Sequence, residues 1–140
     1  MKILAVDYGS KRVGLASGDS KNKIAFPKGV IERNDDLQVV SDILAICEDE
    51  GYGKVVFGLP LDMNDEKGAQ YQVIEQFISV FKEKVIKEGV DLEIGTVDER
   101  LSSFEADSYL EDFKDKKMRK NNGDRDIMAA KIILERYFNA

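Results

Sequence analysis

Apolar and polar positions along the chain predict strands first and helices later. Ile3 to Val6 is a run of four apolar residues that leads directly into Asp7, and after a short polar turn a second apolar run covers Val13 to Ala16. A third strand near Val30 and Ile31 would complete an antiparallel meander. Because an unpaired charge at the end of a buried strand is costly, we expect a cation or hydrogen bonds to meet Asp7.

Helical spacing begins after the predicted meander. Between an Asn/Asp cap and Gly51, the apolar positions are Leu37, Val40, Ile43, Leu44 and Cys47. This spacing is typical of an amphipathic helix. The segment "KVVFGLP" follows as a short buried strand. Helical spacing then returns before Gly89, at Val73, Phe77, Phe81 and Val85.

The last part of the chain adds one strand and two helical segments. "DLEIGTVDER" predicts a fifth strand that ends in Asp98 and Glu99, and "SSFEADSYLEDF" opens a helix with Ser102 and Glu105 in capping-box spacing. "DRDIMAAKIILERYF" predicts the final helix. We therefore expect an α/β fold with a mixed five-stranded sheet, three antiparallel strands and then helix-connected strands, with helices on both faces. Residues 1–140 contain no repeat or linker, which predicts a single domain.

Composition narrows the chemistry. The 140 residues include no histidine and a single cysteine, Cys47. Nucleophile systems that depend on histidine and zinc sites built from histidine or several cysteines are thereby excluded. No run of about 18 apolar residues is present, so we expect no membrane span and a cytoplasmic protein. The net charge of -6 argues weakly against a nucleic-acid partner.

Carboxylates at the ends of predicted elements are the candidate chemical groups. Asp7, the pair Asp98 and Glu99, and the pair Asp124 and Asp126 stand where an open α/β sheet gathers functional side chains. Such acids can hold two Mg²⁺ or Mn²⁺ ions for phosphodiester cleavage. Spacing leaves two alternatives open: the strand-end ligand is either Asp98 or Glu99, and Asp124 is either a fourth ligand or a helix cap. Asp126 itself is expected in the first turn of the last helix, where a carboxylate also favours the helix dipole.

Four segments carry a family resemblance over nearly the whole chain. "LAVDYGSKRVGLASGD", "VVFGLPLDMN", "TVDERLSS" and "DIMAAKIIL" resemble the YqgF/RuvX family of Holliday-junction-resolvase-like nucleases. The resemblance implies an RNase H-like fold, an acidic divalent-metal site and hydrolysis of phosphodiester bonds. By position it implies Asp7, Glu99 and Asp126 as the catalytic acids. It further implies a role in trimming the 5' end of precursor 16S ribosomal RNA, with junction resolution as the alternative.

Basic residues near these acids predict a nucleic-acid surface in spite of the acidic total. The candidates are Lys11, Arg12, Arg100, Lys114, Lys116, Lys117, Arg119, Lys120 and Arg125. Phosphate is the substrate group that a metal-carboxylate site requires, so we expect structured RNA or branched DNA to bind there. No spare apolar face is evident, which predicts a monomer or weak homodimer. Two rival hypotheses are a phosphate-binding turn of an actin-like ATPase and a non-catalytic nucleic-acid-binding assembly factor.

Overall fold

A single mixed sheet organises the part of the chain that the computed structural model describes, residues 1–60, 68–98 and 122–140. Its strands are β1 (Lys2–Tyr8), β2 (Arg12–Asp19), β3 (Ala25–Glu32), β4 (Tyr52–Leu59) and β5 (Glu93–Asp98). Their spatial order is β3-β2-β1-β4-β5. The first three strands pair antiparallel, whereas β1, β4 and β5 are parallel. The predicted five-stranded mixed sheet is confirmed.

Three helices in the described residues cover the sheet: α1 (Asp36–Glu50), α2 (Ala69–Glu88) and α3 (Asn122–Asn139). Asp35 caps α1 by accepting a hydrogen bond from the Gln38 amide. Helices α1 and α2 end at Gly51 and Gly89, whose φ angles of 76° and 65° are left-handed. None of the helices in this part of the chain is long and apolar enough to cross a membrane.

Alternate residues of the strands face two different cores. Leu4, Val6 and Tyr8 of β1 pack in the core beneath α1 and α2. Ile3 and Ala5 pack in the core beneath α3. Because side chains alternate along a strand, Asp7 shares the α3 face with Ala5.

The apolar stripes of the first two helices differ from those predicted. Leu37 is 68% exposed and Val73 is 50% exposed, so both lie outside the core. The buried positions that replace them are Val39 on α1 and Tyr71 and Ile74 on α2. An apolar run near a helix start fits two adjacent stripes equally well, and the sheet beneath selects one of them.

The boundaries of several elements also differ from the prediction. Strand β3 covers eight residues around the expected pair Val30 and Ile31. Helix α3 begins two residues before the expected Asp124, so Asp124 rather than Asp126 lies in its first turn. The helix predicted over residues 102–113 lies outside the described residues.

Helix α3 approaches the β1–β2 hairpin so closely that a glycine is required there. A Cβ atom added to Gly14 would lie 2.0 Å from the backbone oxygen of Asp126, well inside contact distance. A Cβ added to Gly18 would lie 2.9 Å from the ring of Phe138 farther along the same helix. Two glycines on one face of β2 therefore allow the helix to lie directly on the strand.

We predict that Gly14→Ala destabilises the protein strongly, because the added methyl group forces α3 off the hairpin. The expected loss is about 2 kcal/mol or more in the free energy of unfolding, measured by urea denaturation. Gly29→Ala on β3 is the matched control, since an added Cβ would meet nothing within 4 Å. Equal midpoints for the two variants would contradict the close approach of α3.

Candidate metal and nucleic-acid site

Asp7 lies near the carboxyl end of β1, the central strand of the sheet. Its side chain is half-buried, and its backbone is paired with Gly14 on β2 and flanked by β4 on the other side. The carboxyl ends of parallel strands next to a change of direction form the usual functional crevice of an open sheet. Asp7 thus occupies a position at which a ligand can approach from the α3 face.

Helix α3 carries Asp126 to the same place. The backbone of Asp126 lies against Gly14, the residue paired with Asp7, and its Oδ1 lies 3.9 Å from the position of a Cβ on Gly9. Gly9 follows Asp7 by two residues. Paired residues of antiparallel strands are about 5 Å apart, so the two acids are close neighbours. The structure therefore brings together two of the predicted catalytic acids.

The helical stripe explains why Asp126 points to the sheet and Asp124 does not. Asp126 shares its helical face with Ala130, Ile133 and Tyr137, of which the first two are fully buried. Asp124 is two residues earlier, about 200° around the helix. Its position in the first turn favours a charge interaction with the helix N-terminus.

Arg12 provides a cation for Asp126. Its Nε atom donates to Asp126 Oδ2 at 3.2 Å, and the two side chains are 25% and 24% exposed. Arg12 belongs to β2 and lies two residues before Gly14, on the same face of the sheet. A cation is thus present at this end of the sheet, where it pairs with Asp126. Asp7, for which the sequence predicts a cation or hydrogen bonds, has interactions of its own.

Asp98 ends β5 on the opposite face from Asp7. Ile94 packs in the core beneath α1 and α2, whereas Val97 packs in the core beneath α3. Strand alternation therefore places Asp98 on the α1 and α2 face, two strands away from Asp7. Its backbone carbonyl accepts a hydrogen bond of 3.1 Å from Arg136 Nη1. The alternative ligand Glu99 lies outside the described residues.

The donor chemistry of the described acids fits a hard divalent cation. Carboxylate oxygens are the ligands preferred by Mg²⁺ and Mn²⁺, and Asp7 and Asp126 present them from one face. Within residues 1–60, 68–98 and 122–140, no group of three or more acidic, histidine or cysteine side chains forms a preassembled metal cluster. Asp7 and Asp126 are therefore the candidate ligands that these ranges offer on the α3 face.

A polar cluster on the opposite face fixes the turn that follows Asp7. Tyr8 donates its hydroxyl proton to Asp36 on α1, and Arg33 binds the same carboxylate through Nε and Nη2 at 3.3 and 3.2 Å. Arg33 also donates to the carbonyl of Ser10 at 3.0 Å. This cluster links the β1–β2 turn to the start of α1, and periodicity gave no sign of it because its members come from three separate segments.

Three of the predicted nucleic-acid-binding residues are described, and all three are near the acids. Lys11 is exposed in the turn after β1, Arg12 is half-buried on β2, and Arg125 is exposed beside Asp126 on α3. The others lie outside the described residues: Arg100, Lys114, Lys116, Lys117, Arg119 and Lys120. Their assignment, like that of the catalytic acids, stays a prediction.

Comparison with known proteins identifies the family. The model of the family RuvX, described as "Holliday junction resolvase", matches residues 1–140. The chain belongs to the RuvX family. A protein of Maridesulfovibrio salexigens named "Putative pre-16S rRNA nuclease" is 41% identical over 137 residues, 96% of each chain. One of the same name from Rickettsia typhi is 34% identical over 99% of this chain and 85% of its own.

Solved structures of resolvases share the fold of this RuvX member. RuvC of Thermus thermophilus in complex with a Holliday junction substrate has a TM-score of 0.56 at 10% identity, covering 99% of this chain and 93% of that one. Fowlpox virus resolvase in complex with junction DNA has a TM-score of 0.57 at 14% identity, with coverages of 99% and 97%. The RNase H-like fold expected from the resemblance is confirmed, and the family supports the predicted phosphodiester hydrolysis.

Tyr8 gives a prediction about pH. Burial and, secondarily, the contact with Asp36 raise the pKa of Tyr8 to about 12. Below pH 10 the phenol is protonated in both states, so it adds no pH dependence. Between pH 10 and 12 the unfolded chain loses this proton while the folded chain keeps it. The free energy of unfolding should therefore fall in this window, by about 2 kcal/mol from this group.

The comparison with Tyr8→Phe isolates that effect. At pH 8 the variant should be less stable by roughly 1 to 2 kcal/mol, because it loses a hydrogen bond to a charged group. The difference should shrink as the pH rises from 10 to 12, measured by urea unfolding. Burial also raises the pKa of the Cys47 thiol to about 12, but that contribution is common to both proteins. A stability difference that stays constant up to pH 12 would contradict the assignment.

Proposed function

We propose that this RuvX member is a metal-dependent nuclease that trims the 5' end of precursor 16S ribosomal RNA. One observation carries the proposal: Asp7 on β1 and the start of α3 with Asp126 both lie next to Gly14, on one face at the carboxyl end of the central strand. The names of the relatives from Maridesulfovibrio salexigens and Rickettsia typhi support the choice of RNA. A ribosomal substrate would place the protein in the cytoplasm.

The residues that would hold Mg²⁺ or Mn²⁺ are Asp7, Asp126 and Glu99. Such an ion would supply an activated water and offset negative charge on the phosphate. The chain contributes the fixed positions of its acids: β1 holds Asp7 and the glycine contact holds Asp126. Lys11 and Arg125, both exposed, would bind backbone phosphates near the acids. No histidine is needed for this chemistry.

The assignment of Glu99 rests on the position of Asp98 and on the family resemblance. Asp98, the last residue of β5, lies on the face away from Asp7. Glu99 also matches the acid that the family resemblance implies. We therefore propose Glu99 as the third ligand. We propose that Asp98 is not a ligand and that it helps to hold the end of β5 against α3 through its carbonyl contact with Arg136.

Junction resolution is the second candidate function, favoured by the description of the family and by the fold shared with RuvC. A resolvase makes two symmetric cuts, which calls for a stable dimer. The exposed large apolar side chains in the described residues come from several elements and connections, among them Ile24 and Phe26 at the start of β3, Leu37 on α1, and Val73 and Ile86 on α2. We propose a monomer or weak homodimer on this basis.

The test of function is a cleavage assay with labelled precursor 16S RNA and a four-way DNA junction, in Mn²⁺ and in EDTA. We expect metal-dependent cleavage of the RNA by the wild type and loss of at least about 100-fold in rate for Asp7→Asn, since a ligand and its charge are removed. Asp91→Asn is the matched control. Asp91 is an exposed acid in the loop before β5, at the start of that strand rather than at its carboxyl end. A tight dimer in sedimentation that cuts junctions symmetrically and ignores the RNA would favour the resolvase.

A second comparison tests the ligand set. Glu99→Gln should lose cleavage and the rise in Tm that Mn²⁺ produces, because a ligand that binds only the native state stabilises it. Asp98→Asn should keep both. The reverse result would show that β5 presents its acids in the opposite register, and loss in both variants would assign both acids to the site.

A further inference from the structure

Arg12 already forms a hydrogen bond with one carboxylate oxygen of Asp126, an atom that a bound metal could also use. It donates through Nε to Asp126 Oδ2 at 3.2 Å. In the described part of the chain this is the only side-chain hydrogen bond of the guanidinium, which has five N–H donors in all. Glu32 is paired with Arg12 across the β2–β3 ladder, but no ion pair joins the two side chains there.

The geometry of this ion pair makes it replaceable. A bidentate arginine-carboxylate pair is held by two parallel hydrogen bonds, whereas here a single bond from Nε holds the carboxylate. Both side chains are about a quarter exposed, so solvent reaches the pair. A divalent cation at the same carboxylate would compete with the guanidinium, because two positive charges this close repel each other and crowd the one oxygen that the guanidinium binds.

We propose that Arg12 is the resident counter-ion of Asp126 in the metal-free protein and that it competes with the divalent cation for this carboxylate. When the metal takes Asp126, the freed guanidinium turns to a phosphate of the nucleic acid, so that metal loading creates a phosphate-binding group beside the acids. This inference rests on the proposed metal-dependent function. Arg12 is then a positioning residue for Asp126 and a contact for the substrate after the exchange.

A purely structural ion pair would have the opposite consequence. If Arg12 served only to hold Asp126 in place, removing it would loosen a ligand and weaken metal binding. If Arg12 competes, removing it frees a ligand and strengthens metal binding. The sign of the change in affinity therefore separates the two roles.

The experiment is a calorimetric titration of the full chain with Mn²⁺, without nucleic acid. Arg12→Gln should bind Mn²⁺ roughly fivefold or more tightly than the wild type, since a nearby positive charge is removed. Arg12→Lys keeps the charge and should stay within about twofold of the wild type. Lys11→Gln, which removes an adjacent exposed charge, is the control for the general field. Equal tightening in Lys11→Gln and Arg12→Gln would overturn direct competition.

Melting curves in EDTA show whether the variants fold and whether the ion pair exists. Introducing Arg12→Gln into the wild type should lower the Tm. Introducing it into Asp126→Asn should not, because residue 126 is already neutral in that background. Equal lowering of Tm in both backgrounds would overturn the counter-ion role.

The inference and the proposed function fail in different ways. If the wild type binds Mn²⁺ and cleaves RNA while Arg12→Gln binds Mn²⁺ no more tightly, the competition is wrong and the nuclease assignment stands. If the wild type does not cleave RNA but Arg12→Gln gains Mn²⁺ affinity that Asp126→Asn abolishes, the competition stands without that function. Absence of Mn²⁺ binding in every variant overturns the competition.

Discussion

The contact between Gly14 and the backbone of Asp126 is the constraint on which the site depends. Side chains normally separate a helix from the sheet beneath it, but at Gly14 no side chain intervenes. The helix start is thereby lowered onto the hairpin, and the Asp126 carboxylate reaches the end of β1. Any larger residue at position 14 would push the start of α3 away from the hairpin and so separate Asp126 from Asp7.

On the opposite face of the sheet, side chains stabilise the same β1–β2 hairpin. Tyr8, Arg33 and Asp36 join the β1–β2 turn to the start of α1, while Phe77 stacks against Tyr8 with ring centroids 4.5 Å apart. The turn that follows Asp7 is therefore fixed by packing and hydrogen bonds that do not use the acids. These contacts of the turn lie on the face opposite the α3 face, on which Asp7 and Asp126 lie.

Elements with long and regular patterns of apolar residues were predicted from the sequence more accurately than elements with short or ambiguous patterns. Asp7 could be predicted as a candidate site residue from the sequence, because a carboxylate directly after four apolar residues has few structural explanations. The helical spacing of Asp126, Ala130 and Ile133 also predicts that Asp126 faces the sheet. The prediction depends on the helix extending to Asp126, and the structure shows that α3 begins at Asn122. Leu37 was misassigned because local periodicity does not show which of two stripes the sheet will cover. The face on which Asp98 lies likewise could not be predicted without knowing which cores Ile94 and Val97 join.

Electrostatics explain why an acidic chain can still be built around a phosphate-binding site. Carboxylates gathered for a metal repel one another until the metal arrives, and a protein with a net charge of -6 adds to that repulsion. A basic residue held against one of the acids reduces this cost in the metal-free state. In the proposed competition, the single hydrogen bond between Arg12 and Asp126 offsets part of the carboxylate charge in the metal-free protein and is exchanged when the metal binds. Local pairing, rather than the total charge, therefore decides whether the α3 face repels or accepts a phosphate.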